Sequence, residues 1–318
     1  MLLRHITFFL LLCSVIPGFA MAIQSQELCH QKIRQMVCLV DPPYNEKDRY
    51  KLGRPCLPGG EEYAQQIIEQ YDMYPDIVQK VLCSLRTIYI ETSFDKNAWA
   101  EIEDGNPDLC MIGLTQEEMD GHINLLNYNS WFEQQTFGGT GKNVPSPNLP
   151  MMIAMPEDKN DLDYLTYELL HEIGHVVDIQ NHLNQVECPP DDSTKCKAKP
   201  GSWTALSWIN VGTPKLENDF PERQEICLNG CKGKFIPMDR AKQTYKSIFD
   251  HGFISQLASL NAEDDWAEAF TIYISAKYMD IHYKIVLPDG TEFNHDTILN
   301  SPIFREKKHY LQKTLAEL

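Results

Sequence analysis

Basic residues are in short supply in this chain, whose 318 positions carry 28 Lys and Arg against 45 Asp and Glu, a formal net charge of −17. Binding a nucleic-acid backbone needs clustered cations that displace counterions, so the composition argues against a polynucleotide partner. Beyond residue 22 no apolar run reaches the roughly 18 residues that mark a membrane span, and stable membrane insertion is not expected. Glycine and proline, 17 and 19 residues, are too few for a collagen-like chain, and ten cysteines are too sparse for a fold held by disulfides alone. No internal repeat or low-complexity tract stands out. What is present, 43% hydrophobic and 10% aromatic residues, is the composition of a globular protein able to bury its own core.

The first 22 residues read as a secretory signal rather than as part of that core. Arg4 supplies a positive start, Ile6 to Cys13 an apolar stretch too short to span a bilayer, and Ala20-Met21-Ala22 a small-residue cleavage site. The expected location is secreted or periplasmic. Removal of this segment leaves nine cysteines: Cys29, Cys38, Cys56, Cys83, Cys110, Cys188, Cys196, Cys227 and Cys231. In an oxidising compartment these predict up to four disulfides with one thiol left over. Local pairs Cys188–Cys196 and Cys227–Cys231 are one arrangement, and crossed pairs among the four are another. A structural zinc site is the rival, but intervals of seven and three residues between the cysteines favour disulfides.

Residues 23–85 form an expected helical, cysteine-containing lead-in, with a helix from Glu61 to Leu85 broken near Pro75. Thr87 to Thr92 and Leu109 to Leu114 are β-branched or apolar runs that predict strands. Gln116 to Gln135 predicts one helix. Phe137 to Lys142 is glycine-rich but fails as a phosphate-binding loop, because Thr136 and Asn143 stand where that motif needs Gly and Ser or Thr. Met151 to Met155, bracketed by Pro150 and Pro156, suits an edge strand on which an extended peptide could pair, or an ordinary core strand. Residues 183–259 look like an irregular, disulfide-tied insert.

The chemistry concentrates in His171-Glu172-Ile173-Gly174-His175, an HExxH motif. Roughly 0.04 such matches are expected by chance from this composition. The motif falls in Asp161 to Asn181, which predicts a long helix with Asn160 as N-cap and an apolar stripe of Leu162, Leu165, Leu169, Ile173 and Val176. At about 100° per residue, histidines four apart share a face, as two imidazole ligands of one tetrahedral zinc require. Glu172 would then lie beside the metal, placed to take a proton from its bound water. Asp178 stays on the same face; it is either an acceptor for a liganding imidazole or a surface residue near a helix end.

A catalytic zinc needs a third protein ligand and an open position. Asp178 and Asn181 stand where the extended motif HExxHxxGxxH would have Gly and His, so that solution fails. Downstream, Asn261 to Ser275 predicts a helix with Asp264, Glu268, Thr271 and Ser275 on a polar stripe and Trp266, Phe270, Tyr273 and Ile274 toward a core. Capping by Asn261 explains Asp264 without a metal, but it leaves Glu268 unexplained.

HEIGHVVD at His171 to Asp178 and AEDDWAEAF at Ala262 to Phe270 together resemble the gluzincin-type zinc metallopeptidases that include the catalytic domain of anthrax lethal factor. In that family the second helix reads ExFAEAF and its first Glu is the third zinc ligand. The resemblance implies Zn2+ held by His171, His175 and the residue at 264, with Glu172 as general base and Glu268 behind. Position 264 is Asp here, a shorter arm, so the third ligand is open between Asp264, Glu268 and Glu263. The implied architecture is α+β, a zincin-like catalytic domain over residues 86–318 with a long active-site helix and a small mixed sheet. The implied activity is zinc-dependent hydrolysis of protein or peptide substrates. The rivals are a degraded zincin fold kept as a binding module, a zincin of another branch with a different third ligand, and a structural zinc completed by His182 or a cysteine. The oxyanion stabiliser is open among Tyr273, Tyr278, His251 and His282.

Overall fold

The computed structural model describes residues 17–43, 45–92, 98–103, 105–138, 151–189, 195–228 and 235–318. Most of the expected signal segment, residues 139–150 with most of the glycine-rich stretch, and Cys231 lie outside them. The fold is mixed α+β with small sheets.

Helix α1 (Pro17–Met36) turns Cys29, Ile33 and Met36 inward at helical spacing and runs directly into β1 (Val37–Val40). After the short α2 (Glu46–Arg49), capped by Asn45, come α3 (Gly60–Met73) and α4 (Asp76–Ser84). The break expected near Pro75 falls there: Tyr74 is pushed to extended ψ by the following proline, which caps α4. Cys29–Cys83 ties α1 to α4 and Cys38–Cys56 ties β1 to the loop before α3.

The lead-in was expected to be helical, yet β1 joins the main sheet, pairing parallel with β2 (Thr87–Glu91). A four-residue run between two helices is too short to show a strand's period. β3 (Trp99–Ile102) and β4 (Cys110–Thr115) complete the order β1-β2-β4-β3, in which only β3 is antiparallel to its neighbour. Gly113 of β4 lies under the Trp99 indole, where a Cβ would stand 2.1 Å from the ring.

The single helix expected over Gln116 to Gln135 is two: α5 (Gln116–Gly121) and α6 (Leu125–Gln134). His122 adopts a left-handed conformation (φ 42°), and Asn124 Oδ1 then caps α6 by accepting from the Leu126 and Asn127 amides. β5 (Met152–Ala154) is an edge strand, as the flanking prolines predict. Helix α7 (Leu165–Asn181) starts four residues later than expected. Asn160 cannot cap it, because residues 160–163 are drawn off to Asn124 and Leu125, and Asp163 Oδ1 accepts from the Leu165 amide instead.

The insert is irregular as read. It holds the ribbons β6 (Val186–Glu187) with β7 (Lys197–Ala198) and β8 (Trp208–Asn210) with β9 (Thr213–Pro214), separated by α8 (Thr204–Ser207), and then α9 (Ala241–Asp250). Cys188–Cys196 staples the first ribbon, Cys227 is also disulfide-bonded, and Cys110 is a buried free thiol. Helix α10 (Ala262–Tyr278) follows with Trp266, Phe270, Tyr273 and Ile274 all buried. β10 (Lys284–Val286) pairs antiparallel with β11 (Glu292–Asn294) on one side and β5 on the other. The chain closes with α11 (His295–Leu299) and α12 (Arg305–Glu317). Among the described residues no helix is long and apolar enough to cross a membrane.

One core cluster runs from Ile33 through Ile173 to Phe270, so α1, α7 and α10 share an interior. α12 is bound to α10 by a buried ion pair. Lys307 Nζ lies 2.7 Å from the Asp265 carboxylate, donates to Gly252 O at 2.8 Å and stands 4.5 Å over the Phe253 ring. Trp208 Nε1 donates to Asp265 Oδ2 at 3.0 Å, so the pair is hydrogen-bonded as well as charged.

Candidate metal centre

Helices α7 and α10 pack against each other and bring their polar faces together at one end of a cleft of about 470 Å³. His171 and His175 face the same way on α7, with their Nε2 atoms 3.1 Å apart. Across from them, Asp264 Oδ1 lies 3.4 Å from His175 Nε2 and 3.7 Å from His171 Nε2. Ligand atoms about 2.0 to 2.1 Å from a tetrahedral zinc stand roughly 3.3 Å from one another, so the donor set has the size of a zinc site. Among the described residues this His171, His175 and Asp264 group is the one that could hold a metal ion. His182 ends α7 in a left-handed conformation and does not belong to it.

Asp264 also shows why capping and ligation need not compete. Asn261 Oδ1 accepts from the Asp264 amide at 2.8 Å, and Asn261 Nδ2 donates to Asp264 Oδ2 at 2.6 Å. The cap uses Oδ2 and holds Oδ1 toward the histidines. Burial works against the charge, but the two imidazoles hold the Asp264 carboxyl well below the usual carboxylate range. For both histidines burial opposes protonation, yet Asp264, with Glu268 beside His171, raises them above the usual imidazole value. A divalent cation would supply the positive charge that these carboxylates call for.

Glu268 stands behind the group rather than in it. Its Oε1 is 2.9 Å from His171 Nδ1 and accepts from Tyr167 Oη at 2.9 Å. The Nδ1 contact is an ion-pair approach without hydrogen-bond geometry, and it leaves His171 Nε2 turned toward His175 and Asp264. Glu263 lines the cleft but is also outside the group of three. Asp178 is neither of the things expected of it. It is buried, and its two oxygens accept from the Asn184 amide and side chain at 2.8 Å each, pinning the loop that leaves α7.

Glu172 is 3% exposed, lines the cleft, and its Oε2 has no hydrogen-bond partner. Burial raises its pKa, partly offset by the two histidines. A carboxylate beside a donor set of this kind, with a free oxygen and a raised pKa, is equipped to take up a proton. Two further cleft carboxyls are shifted far upward by burial. Glu133 is pushed to about 7 despite donors from Tyr245 and Gln256, and Glu168 to about 8, with Glu118 adding to the effect.

No protein-family model, curated protein or solved structure matches this chain.

The cleft includes residues that the sequence did not single out. β3 contributes Trp99 and Glu101 from the antiparallel edge of the four-stranded sheet, and β5 contributes Ile153. Its alternation over only four residues was too short a signal. None of Tyr273, Tyr278, His251 and His282 lines the cleft. Tyr273 is buried and receives Gln312, Tyr278 is half exposed, His251 is engaged with Ser247 O, and His282 with Asp296 and Asp280. Three other phenols line it: Tyr128, paired with Glu118, Tyr167, paired with Glu268, and Tyr283, which follows a left-handed turn at Asp280 and whose Oη has no hydrogen-bond partner. Burial keeps Tyr283 well above the usual phenol range, so it remains a proton donor.

Proposed function

We propose that this protein is a secreted zinc-dependent endopeptidase of the gluzincin type, with His171, His175 and Asp264 as metal ligands and Glu172 as general base. The observation that carries the reading is the convergence of two imidazole nitrogens and one carboxylate oxygen at zinc-site spacing, beside a buried carboxylate with an unpaired oxygen. Zinc bound there would lower the pKa of its water toward about 7 and polarise the scissile carbonyl. Glu172 takes the proton from the attacking water and returns it to the leaving amine. Glu268, oriented by Tyr167, holds the His171 ring in place. Tyr283, the cleft phenol whose Oη has no hydrogen-bond partner, would serve as the donor to an oxyanion. An extended substrate segment would pair along one of the two edge strands that line the cleft, β3 or β5. The disulfides suit an oxidising compartment and so support export. An intact Glu172 favours catalysis over a degraded, binding-only fold.

The test is Glu172→Gln. It should retain stoichiometric zinc and lose casein or peptide-library cleavage by about 10² to 10⁴-fold. Full activity in this variant would overturn the mechanism.

A further inference from the structure

Tyr283 reaches the cleft from an irregular segment. Helix α10 ends at Tyr278, Asp280 adopts a left-handed conformation (φ 56°), and β10 begins only at Lys284. What fastens Tyr283 is His295, the first residue of α11. The Tyr283 carbonyl accepts two hydrogen bonds from it, one from the backbone amide at 3.1 Å and one from ring Nδ1 at 3.0 Å. The amide bond extends the β10 to β11 pairing by one step, since Lys284 pairs with Asn294. The ring bond belongs to the imidazole alone. A carbonyl can only accept, so Nδ1 carries the proton. His295 is buried, and burial lowers its pKa, so at neutral pH the ring is uncharged and held in this one tautomer.

The same ring touches the Tyr283 side chain. It stands edge-on to the phenol with centroids 6.3 Å apart, and Phe249 packs on it at 5.9 Å. A second edge contact joins the phenol to Tyr167 at 5.6 Å. Of the three phenols that line the cleft, Tyr128 and Tyr167 are engaged by Glu118 and Glu268, whereas Tyr283 Oη has no hydrogen-bond partner. We propose that His295 is a positioning residue for Tyr283, holding its backbone through Nδ1 and its ring by edge contact so that Oη is presented to the oxyanion. This rests on the peptidase reading above and adds the group that sets its oxyanion donor. His295 lies outside the His171, His175 and Asp264 group, so it acts without touching the metal ligands. It also lines the cleft itself, which makes direct contact with substrate the competing role. The two roles differ once the Tyr283 hydroxyl is removed.

The test is a double-variant cycle on the zinc-loaded protein, with one peptide substrate taken from the library. Tyr283→Phe should lower kcat by about 10²-fold. His295→Phe keeps a ring but loses the Nδ1 donor, and should lower kcat by about 10-fold or more with KM within about 2-fold of the wild type. His295→Asn places a nitrogen donor at the same distance along the side chain and should recover most of that loss. Added to Tyr283→Phe, His295→Phe should cost nothing further, because its effect passes through the missing hydroxyl. Binding of a peptide phosphonamidate, whose tetrahedral oxygens stand in for the oxyanion, should weaken in the same pattern by calorimetry, while zinc content and circular dichroism stay unchanged. If His295→Phe does not fold, His295→Asp takes its place, since an acidic residue suits the first turn of α11 and carries no donor, and the same signs are expected. Wild-type kcat in the His295 variant, or losses that multiply with Tyr283→Phe, overturns this inference alone. A fully active Tyr283→Phe removes the phenol from the mechanism and this inference with it. A zinc-loaded wild type that cleaves no peptide overturns the peptidase reading and this inference together.

Discussion

Asp264 divides its carboxylate between two partners: Oδ2 accepts from Asn261 Nδ2 at 2.6 Å, while Oδ1 stands 3.4 Å from His175 Nε2. A helix cap thus aims one carboxylate oxygen of a group that could hold a metal ion. The charge-bearing first turn of α10 and the histidine face of α7 meet where the two helices pack against each other, and Trp266 Nε1 donates to Gly174 O between them.

Asp264 and Glu268 should separate by metal content. Asp264→Ala removes a ligand atom and should leave the purified protein without stoichiometric zinc. Glu268→Gln removes only the support behind His171 and should bind zinc about 10 to 100-fold more weakly. Titration with a competing chelator measures both, and equal losses would contradict the assigned roles.

The Lys307 to Asp265 pair should be a large contributor to stability. Both groups are almost completely buried, so Lys307→Met leaves an uncompensated carboxylate and should cost about 3 to 5 kcal/mol in urea unfolding. Adding Asp265→Asn should recover part of that loss, since a neutral amide at the same place has no charge to compensate. A Lys307→Met protein as stable as the wild type would show that the pair is not intact in solution.

Glu133 predicts a pH dependence of definite sign. Its carboxyl is raised from 4.5 to about 7 by burial, so between those values the folded state holds a proton that the unfolded chain has released. Its contribution is complete below about pH 4.5, declines as pH rises, and is lost above about 7, a change of about 3 kcal/mol. Glu133→Gln cannot titrate. The stability difference between wild type and variant should therefore shift against the wild type by that amount from pH 4.5 to 7.5, measured by urea unfolding. A difference independent of pH would rule out a buried neutral carboxyl.

How much of this was legible beforehand follows from the range of the forces involved. The His171 and His175 pair and the Asn261 cap act within one helix turn, and the periodicity showed them. The late start of α7 depends on Asn124, 36 residues before the Asn160 carbonyl that it binds. The break at His122 and the strand β1 likewise depend on partners or backbone angles that a local pattern does not record. Asp178 is the instructive case. Helical spacing put it on the ligand face, but the loop that follows α7 turned Asn184 onto both of its oxygens.

Alone, the sequence was enough to place two imidazoles and a carboxylate on one face of a helix and to locate a second acidic helix, while it left Cys188–Cys196 as one of two pairings that the structure then decided. The tertiary structure decided which carboxylate joins the imidazoles, which one stands behind them, and which phenols line the cleft. The reason is geometric. Periodicity sets direction around a helix axis, whereas bringing His171, His175 and Asp264 together depends on how two helices far apart in sequence pack against each other.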